Sequence, residues 1–302
     1  MIVDLPSLVD PLTEAEFLTR LQQRRLTLMR GAGPERYEAL LGWQTLNHLI
    51  GSSVYPLDQL RIVRESIPVP PAFYVRDGRI DPAALSRLMD QGVSLVFNRV
   101  NDYVPGVRRL CRNIAIRTCE QISAGAIVTS GSGGALERHF DYEDIVILQI
   151  AGTKRWQVYD PPVLHPARGM PEQKTPRGPA VLTEVLQPGD FLFLPAGHWH
   201  HCENGPERSL HVGIFFDPPN GRHLVTALAR EWLSDDTFRW PLTRHGSADA
   251  LAAHETALKA HLVHKVQQLS ITEFLAERAS HLPGEISLEG ADEPAPVAAR
   301  QE

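Results

Sequence analysis

The chain has 302 residues, 43% of them hydrophobic, and a formal net charge of −6 at pH 7; it is long enough to bury one large core with a smaller appendage, and no run of about twenty apolar residues is present to cross a membrane as a helix. The negative balance argues against broad binding of nucleic acid, whose phosphates reward a basic face, and is compatible with a basic protein or peptide substrate. Cys111, Cys119 and Cys202 are odd in number and form no paired motif, and the start Met1-Ile2-Val3-Asp4-Leu5-Pro6 lacks the order of a secretory signal, so a reducing, cytoplasmic setting without disulfides is expected.

In chain order, Thr13 to Gln23 and Glu35 to Ile50 have helical apolar spacing, the first entered through Pro11-Leu12-Thr13 with Glu14 and Glu16 in the opening turn. Asp81-Pro82 opens a helix to about Asp90, Val93 to Phe97 reads as a strand, and Pro105 to Cys119 as a helix packed outside it. Strands from about Gly125 to Phe216 follow. Among them, Asp144 to Ile150 is an apolar β-branched run, Ala151-Gly152-Thr153 a turn, and Lys154 to Tyr159 an alternating, returning strand that completes a hairpin before Pro161-Pro162. Pro188-Gly189-Asp190 turns into Phe191 to Leu194, which Pro195 ends. After Asp217-Pro218-Pro219-Asn220-Gly221 the character changes to helical runs, Leu224 to Leu233, Ala248 to Gln268 and Ile271 to Ser280, and Glu289 to Glu302 has the composition of a disordered tail. The expected organisation is a helix and strand flank over 1–90, a strand-rich core over 91–217, a helical region over 218–284 and a disordered tail over 285–302. No internal repeat is visible.

The chemistry sits in two segments. Side chains alternate along an extended chain, so in His139-Phe140-Asp141 the imidazole and the carboxylate point the same way. A second imidazole from Pro195-Ala196-Gly197-His198-Trp199-His200 would complete two His and one carboxylate, a facial set that leaves positions open and suits non-haem Fe(II). His-x-Asp alone is a weak signal; its strength comes from the strands around it.

These segments resemble the JmjC branch of the Fe(II)/2-oxoglutarate oxygenases, and within it the bacterial cupin-like ribosomal-oxygenase group. The resemblance rests on His139-Phe140-Asp141, Asp144 to Trp156, Pro188-Gly189-Asp190, Pro195 to His200 and Ser209-Leu210-His211-Val212-Gly213, and covers roughly residues 90 to 216. It implies a mainly β fold with flanking helices, a double-stranded β-helix of cupin or jelly-roll type plus a C-terminal helical region. It implies Fe(II) held by His139, Asp141 and His200, with the Pro-x-Gly-x-x-His pattern selecting His200. It also implies 2-oxoglutarate, whose far carboxylate meets a basic residue thirteen positions after the metal-binding Asp, here Lys154. A cation suits that end of a dicarboxylate chelated through its other end; the plainer reading is a surface lysine at a strand start.

Thr129 and Ser130, in a Gly/Ser stretch, are candidates to share that carboxylate, or are simply part of a flexible loop. His198 and His201 are candidates to line the pocket or to orient the ligands beside His200. His211 either points into the pocket or is a hydrogen-bonded core residue. Where related sequences place small residues before the metal-binding His, this chain has Leu136-Glu137-Arg138; Arg138 and Glu137 either read a polar substrate group or form a solvated pair. Arg155 is expected to face solvent or substrate, and His254, His261 and His264 to lie on a helix surface. The resemblance implies hydroxylation of a protein or peptide side chain, with succinate and CO2 released, by a homodimer. Demethylation uses the same oxidation, and no residue favours it. A small-molecule hydroxylase and a non-catalytic binding module are the alternatives.

Overall fold

The computed structural model describes residues 2–31, 33–52, 54–64, 66–131, 136–170, 175–176 and 178–280; the expected tail over 285–302 and most of the Gly/Ser stretch after Gly131 lie outside them. Asp4 caps helix α1 (Leu5–Val9), and Thr13 and Glu16 close a reciprocal capping box on α2 (Glu14–Gln22). Strand β1 (Thr27–Met29) follows. The single helix expected over 35–50 is two, α3 (Glu35–Glu38) and α4 (Trp43–Gly51), because Gly42 is extended and serves as N-cap of the second. Short strands β2 (Leu60–Arg64), β3 (Ile67–Pro68), β4 (Val75–Arg76) and β5 (Arg79–Ile80) precede α5 (Pro82–Asp90), which Asp81 caps through the N–H groups of Ala83 and Ala84. Next come β6 (Ser94–Phe97) and α6 (Pro105–Thr118), with Pro105 in the first turn and Cys119 as a left-handed cap.

The remaining strands are β7 (Gln121–Thr129), β8 (Asp144–Ala151), β9 (Lys154–Tyr159), β10 (Leu182–Leu186), β11 (Phe191–Leu194), β12 (Trp199–Asn204) and β13 (Ser209–Asp217). All pairings are antiparallel. One sheet runs β1-β11-β8-β13-β7-β6-β2-β3, and a second runs β10-β9-β12. This is the mainly β, cupin-type architecture that was expected. Residues before 91 are built into it, since β1 and β2 lie in the large sheet.

Alternation explains where the cores sit. Strand β8 is buried on both faces: Val146, Leu148 and Ile150 join the core beneath the helices, whereas Ile145 and Ile147 face Trp156, Val158 and Cys202 of the small sheet. Phe17 of α2 seals the outer side, its ring 5.6–5.9 Å from those of Phe193 and Phe191 in edge-on geometry.

The expected β8–β9 hairpin is absent: the two strands belong to different sheets. The chain instead turns a corner at Gly152, whose φ of +62° and whose approach to Arg208 O leave no room for a side chain. The amide of Gln149 donates to the carbonyls of Ala151 and Gly152 and to Ser209 Oγ, replacing the ladder bonds that a hairpin would have supplied.

Helices α7 (Gly221–Glu231), α8 (Asp236–Arg239), α9 (Ala248–Gln267) and α10 (Ile271–Ser280) follow Asp217 and contain no buried residue. Among the described residues no helix is long and apolar enough to cross a membrane.

Candidate metal and keto-acid site

The ligand segments are cross-strand neighbours. His139 lies in an extended approach to β8, joined to β12 by one bridge in which His139 N–H donates to His200 O (3.1 Å) and His200 N–H to His139 O (2.7 Å). The strand proper starts three residues after Asp141. The His-rich turn is tied to the same approach, since Gly197 N–H donates to Asp141 O (2.9 Å) and Ala196 N–H to the Asp144 carboxylate (2.7 Å), which Arg24 also meets at 3.0 Å. Gly197 has φ +86° and packs on Pro166.

Within this frame His139, Asp141 and His200 offer one ligand atom each, all within 4.8 Å of one another. His139 Nδ1 donates to Glu137 O (2.8 Å) and His200 Nδ1 to His198 O (3.1 Å), which fixes both tautomers and turns each Nε2 lone pair inward. Asp141 Oδ2 faces them at 3.9 and 3.5 Å. Burial, reinforced by the His139 imidazole, lowers His200 to about 3, so it is neutral, the form that ligates a metal. Burial raises the Asp141 carboxyl, with His139 and Arg168 opposing.

Lys154 opens β9 with its side chain turned into the space between the sheets, 1% exposed. Its Nζ donates to Thr129 Oγ1 (2.9 Å) and lies 3.4 Å from His211 Nδ1; Ser94 Oγ donates to the same Thr129 oxygen (3.0 Å). No carboxylate pairs with this ammonium among the described residues. Burial accordingly lowers its pKa, and burial followed by the Lys154 charge lowers that of His211. With both lone pairs of Thr129 Oγ1 taken, its own proton is left to point elsewhere.

The other candidates separate by strand parity. His211 is buried, lines the cavity and lies against Lys154 Nζ. Arg138 also lines it, its guanidinium 4.0 Å above the Tyr159 ring and bonded to the Tyr159 hydroxyl (2.8 Å); it forms no pair with Glu137. Ser130 is buried with its N–H on Val93 O and does not line the cavity. His198 supplies its carbonyl to His200 and turns its ring to Pro195 O. His201 points away, toward Leu136 O and Glu203. Arg155 is exposed and meets Glu203 at 3.3 Å. His261 bonds Asp235 (2.7 Å) and His254 bonds Thr243, holding α9 to the preceding segment.

Sequence reasoning missed three participants. Ser94 fixes Thr129, Trp156 places its ring 5.6–5.7 Å from those of His200 and His211, and Asn204 donates to Gly131 O (3.0 Å) and Glu207 O (2.8 Å). The available signal was a polar residue inside an apolar strand, as with Ser94 between Val93 and Leu95.

Comparison with known proteins locates the site within a known kind of domain. Residues 102–224 match the family described as "JmjC domain". The chain is 26% identical to YxbC of Bacillus subtilis over 88% of this chain and 86% of that one. It is 25% identical to ribosomal oxygenase 2 of Mus musculus over 69% of this chain and 46% of that one, and so spans less than half the length of this mouse relative. The structure of the Escherichia coli ribosomal oxygenase YcfD in complex with cobalt and 2-oxoglutarate superposes with a TM-score of 0.57 at 19% identity, covering 91% of this chain and 73% of that one; that likeness speaks to the fold.

Proposed function

We propose, from the match of residues 102–224 to the JmjC domain family, that the protein is an Fe(II)- and 2-oxoglutarate-dependent dioxygenase that hydroxylates a C–H bond in a side chain of a protein or peptide. The observation that carries the reading is the pairing, in one cavity, of a His-Asp-His set with a buried lysine that has no acidic partner among the described residues. A buried cation without an anion is costly, and an imported dicarboxylate removes the cost.

The donor set fits the metal, because two neutral imidazoles and a carboxylate are its preferred ligands and leave positions open to the cavity. When bound, Fe(II) with 2-oxoglutarate and O2 supplies the oxidation of an unactivated C–H bond, releasing succinate and CO2. The chain does the rest. His139, Asp141 and His200 would hold the ion, the two imidazoles kept in orientation by the carbonyls of Glu137 and His198. Lys154 would receive the far carboxylate, Thr129 and behind it Ser94 hold the Lys154 Nζ in place, and Ile145, Ile147 and Trp156 keep water from the inner end.

The cavity, of about 1480 Å³, exceeds the roughly 300–1,000 Å³ typical of small-ligand sites, which favours a polypeptide over a metabolite as substrate. The mouse relative's name, ribosomal oxygenase, agrees with a protein target. Three free cysteines suit the cytoplasm, which also supplies Fe(II) and 2-oxoglutarate. The exposed apolar side chains Val225, Leu233, Leu251, Val263 and Val266 on and beside helices without buried residues favour a homodimer; a monomer mass in light scattering at micromolar concentration would refute that part.

The test is anaerobic titration with Fe(II) and 2-oxoglutarate, following the visible charge-transfer band of the chelated keto acid in wild type and Asp141→Ala. A band confined to wild type supports the oxygenase. A folded wild type without a band sinks it and brings a non-catalytic binding module forward.

A further inference from the structure

Resting on that oxygenase reading, we propose that the polypeptide it oxidises carries acidic residues flanking the oxidised side chain, bound by Arg61 and Arg112 on the cavity's outer rim. The placement follows from register. His211 pairs with Ile127, Ile127 with Val96, and Val96 with Arg61, so these four residues form one row across β13, β7, β6 and β2 on a single face of the large sheet. All four line the cavity. Three inter-strand steps of about 4.8 Å put Arg61 roughly 14 Å from His211, several residues of extended chain away from the inner end of the cavity.

The small sheet has only three strands, so β6 and β2 extend past it and their inner face is an open wall. The wall's other border is α6 and the turn before it, where Arg99, Asp102, Arg108 and Arg112 line the same cavity. Asp102, the single acid there, is already held by Arg99 at 2.6 Å, and Arg108 is spent on the backbone carbonyls of Asn101 and Asp102. Arg61 and Arg112 have neither an ion pair nor a hydrogen bond among the described residues. This rim is therefore cationic in a chain whose Asp and Glu (36) outnumber its Lys and Arg (30). Both free groups are guanidinium forks, which match a carboxylate with two parallel bonds. The whole-chain charge invites a basic partner; the charge that the substrate meets at this end of the groove is the opposite.

Three fluorescein-labelled peptide pools of one length, randomised at the centre and flanked by Glu, Gln or Lys, are compared by anisotropy on the full chain loaded anaerobically with Fe(II) and 2-oxoglutarate. A single-stranded oligonucleotide is the fourth probe. The expected result is a Glu pool bound about tenfold more tightly than the Gln and Lys pools, with an advantage that shrinks as salt screens it. Arg61→Glu with Arg112→Glu is expected to reverse the order of the Glu and Lys pools while leaving the charge-transfer band unchanged. Equal or tighter binding of the Lys pool, preference for the oligonucleotide, binding of no pool, or an order unaffected by the double substitution each overturns the proposal. A wild-type band with any of those outcomes removes only the acidic substrate; an absent band removes the oxygenase reading itself.

Discussion

Lys154 sets stability against function at a single position. A fully buried ammonium whose partners are a hydroxyl and an imidazole nitrogen is held at a cost in the folded chain, and replacing buried charge with an apolar group of similar volume is often neutral or stabilising. Lys154→Met should fold with an unchanged or higher melting temperature, yet need far more 2-oxoglutarate to develop the keto-acid charge-transfer band. Charged hydrogen bonds of about 1.5–3 kcal/mol translate to a roughly 10- to 150-fold weaker 2-oxoglutarate affinity. Ser94→Ala should act more mildly through Thr129, raising the KM for 2-oxoglutarate a few-fold with kcat little changed. A Lys154→Met variant that binds the keto acid normally would remove this residue from the site. The contrast between these two residues shows what the sequence could convey. His139, Asp141 and Lys154 occur at fixed short spacings within one stretch of chain, whereas Ser94 reaches Thr129 only through the register of β6 on β7, which no local pattern encodes.

Among elements, the corner between β8 and β9 is where local pattern and tertiary structure diverge. An apolar run, a turn containing Gly and an alternating run describe a hairpin equally well, and only the polar Gln149 within the apolar run betrays the carbonyls that it must satisfy. The same limit merged α3 and α4, since apolar spacing continues through Leu40 and Leu41, which are buried although outside a helix. Where a cap was read, the boundary was legible because caps are local chemistry, as Asp81 with Pro82 shows, whereas the short α1 and α8 were not read from the sequence at all. The corner also carries a prediction. At Gly152 an added Cβ meets backbone atoms of Arg208 and Ser209, which cannot swing away, and φ is positive. Gly152→Ala should therefore lower the denaturant midpoint by an equivalent of about 1–3 kcal/mol. Because Lys154 lies two residues on, keto-acid affinity should fall with it; an unchanged midpoint would show that the corner relaxes freely.

At the scale of the whole molecule, the join between the sheets and the C-terminal helices contains a half-buried acid. Glu120, between α6 and β7, is raised to about 8, first by burial and then by the nearby charges of Asp144 and Asp217, with Arg278 of α10 and Arg24 opposing. One of its carboxylate oxygens and Arg278 Nε have no hydrogen-bond partner among the described residues. An unfolded chain releases this proton near the ordinary value of 4.5, whereas the folded chain keeps it to about 8, so between those limits the native state binds more protons than the unfolded one. Stability contributed by the neutral form is thus complete below about pH 4.5, declines as pH rises and is gone above about pH 8, a loss on the order of 3 kcal/mol after allowing for partial solvent access. Glu120→Gln is neutral throughout and should flatten that slope: it should match wild type near pH 4 and exceed it in urea midpoint above pH 8. Parallel midpoint-versus-pH curves for the two proteins would mean that water reaches the carboxylate and that the join of barrel and helices tolerates its charge.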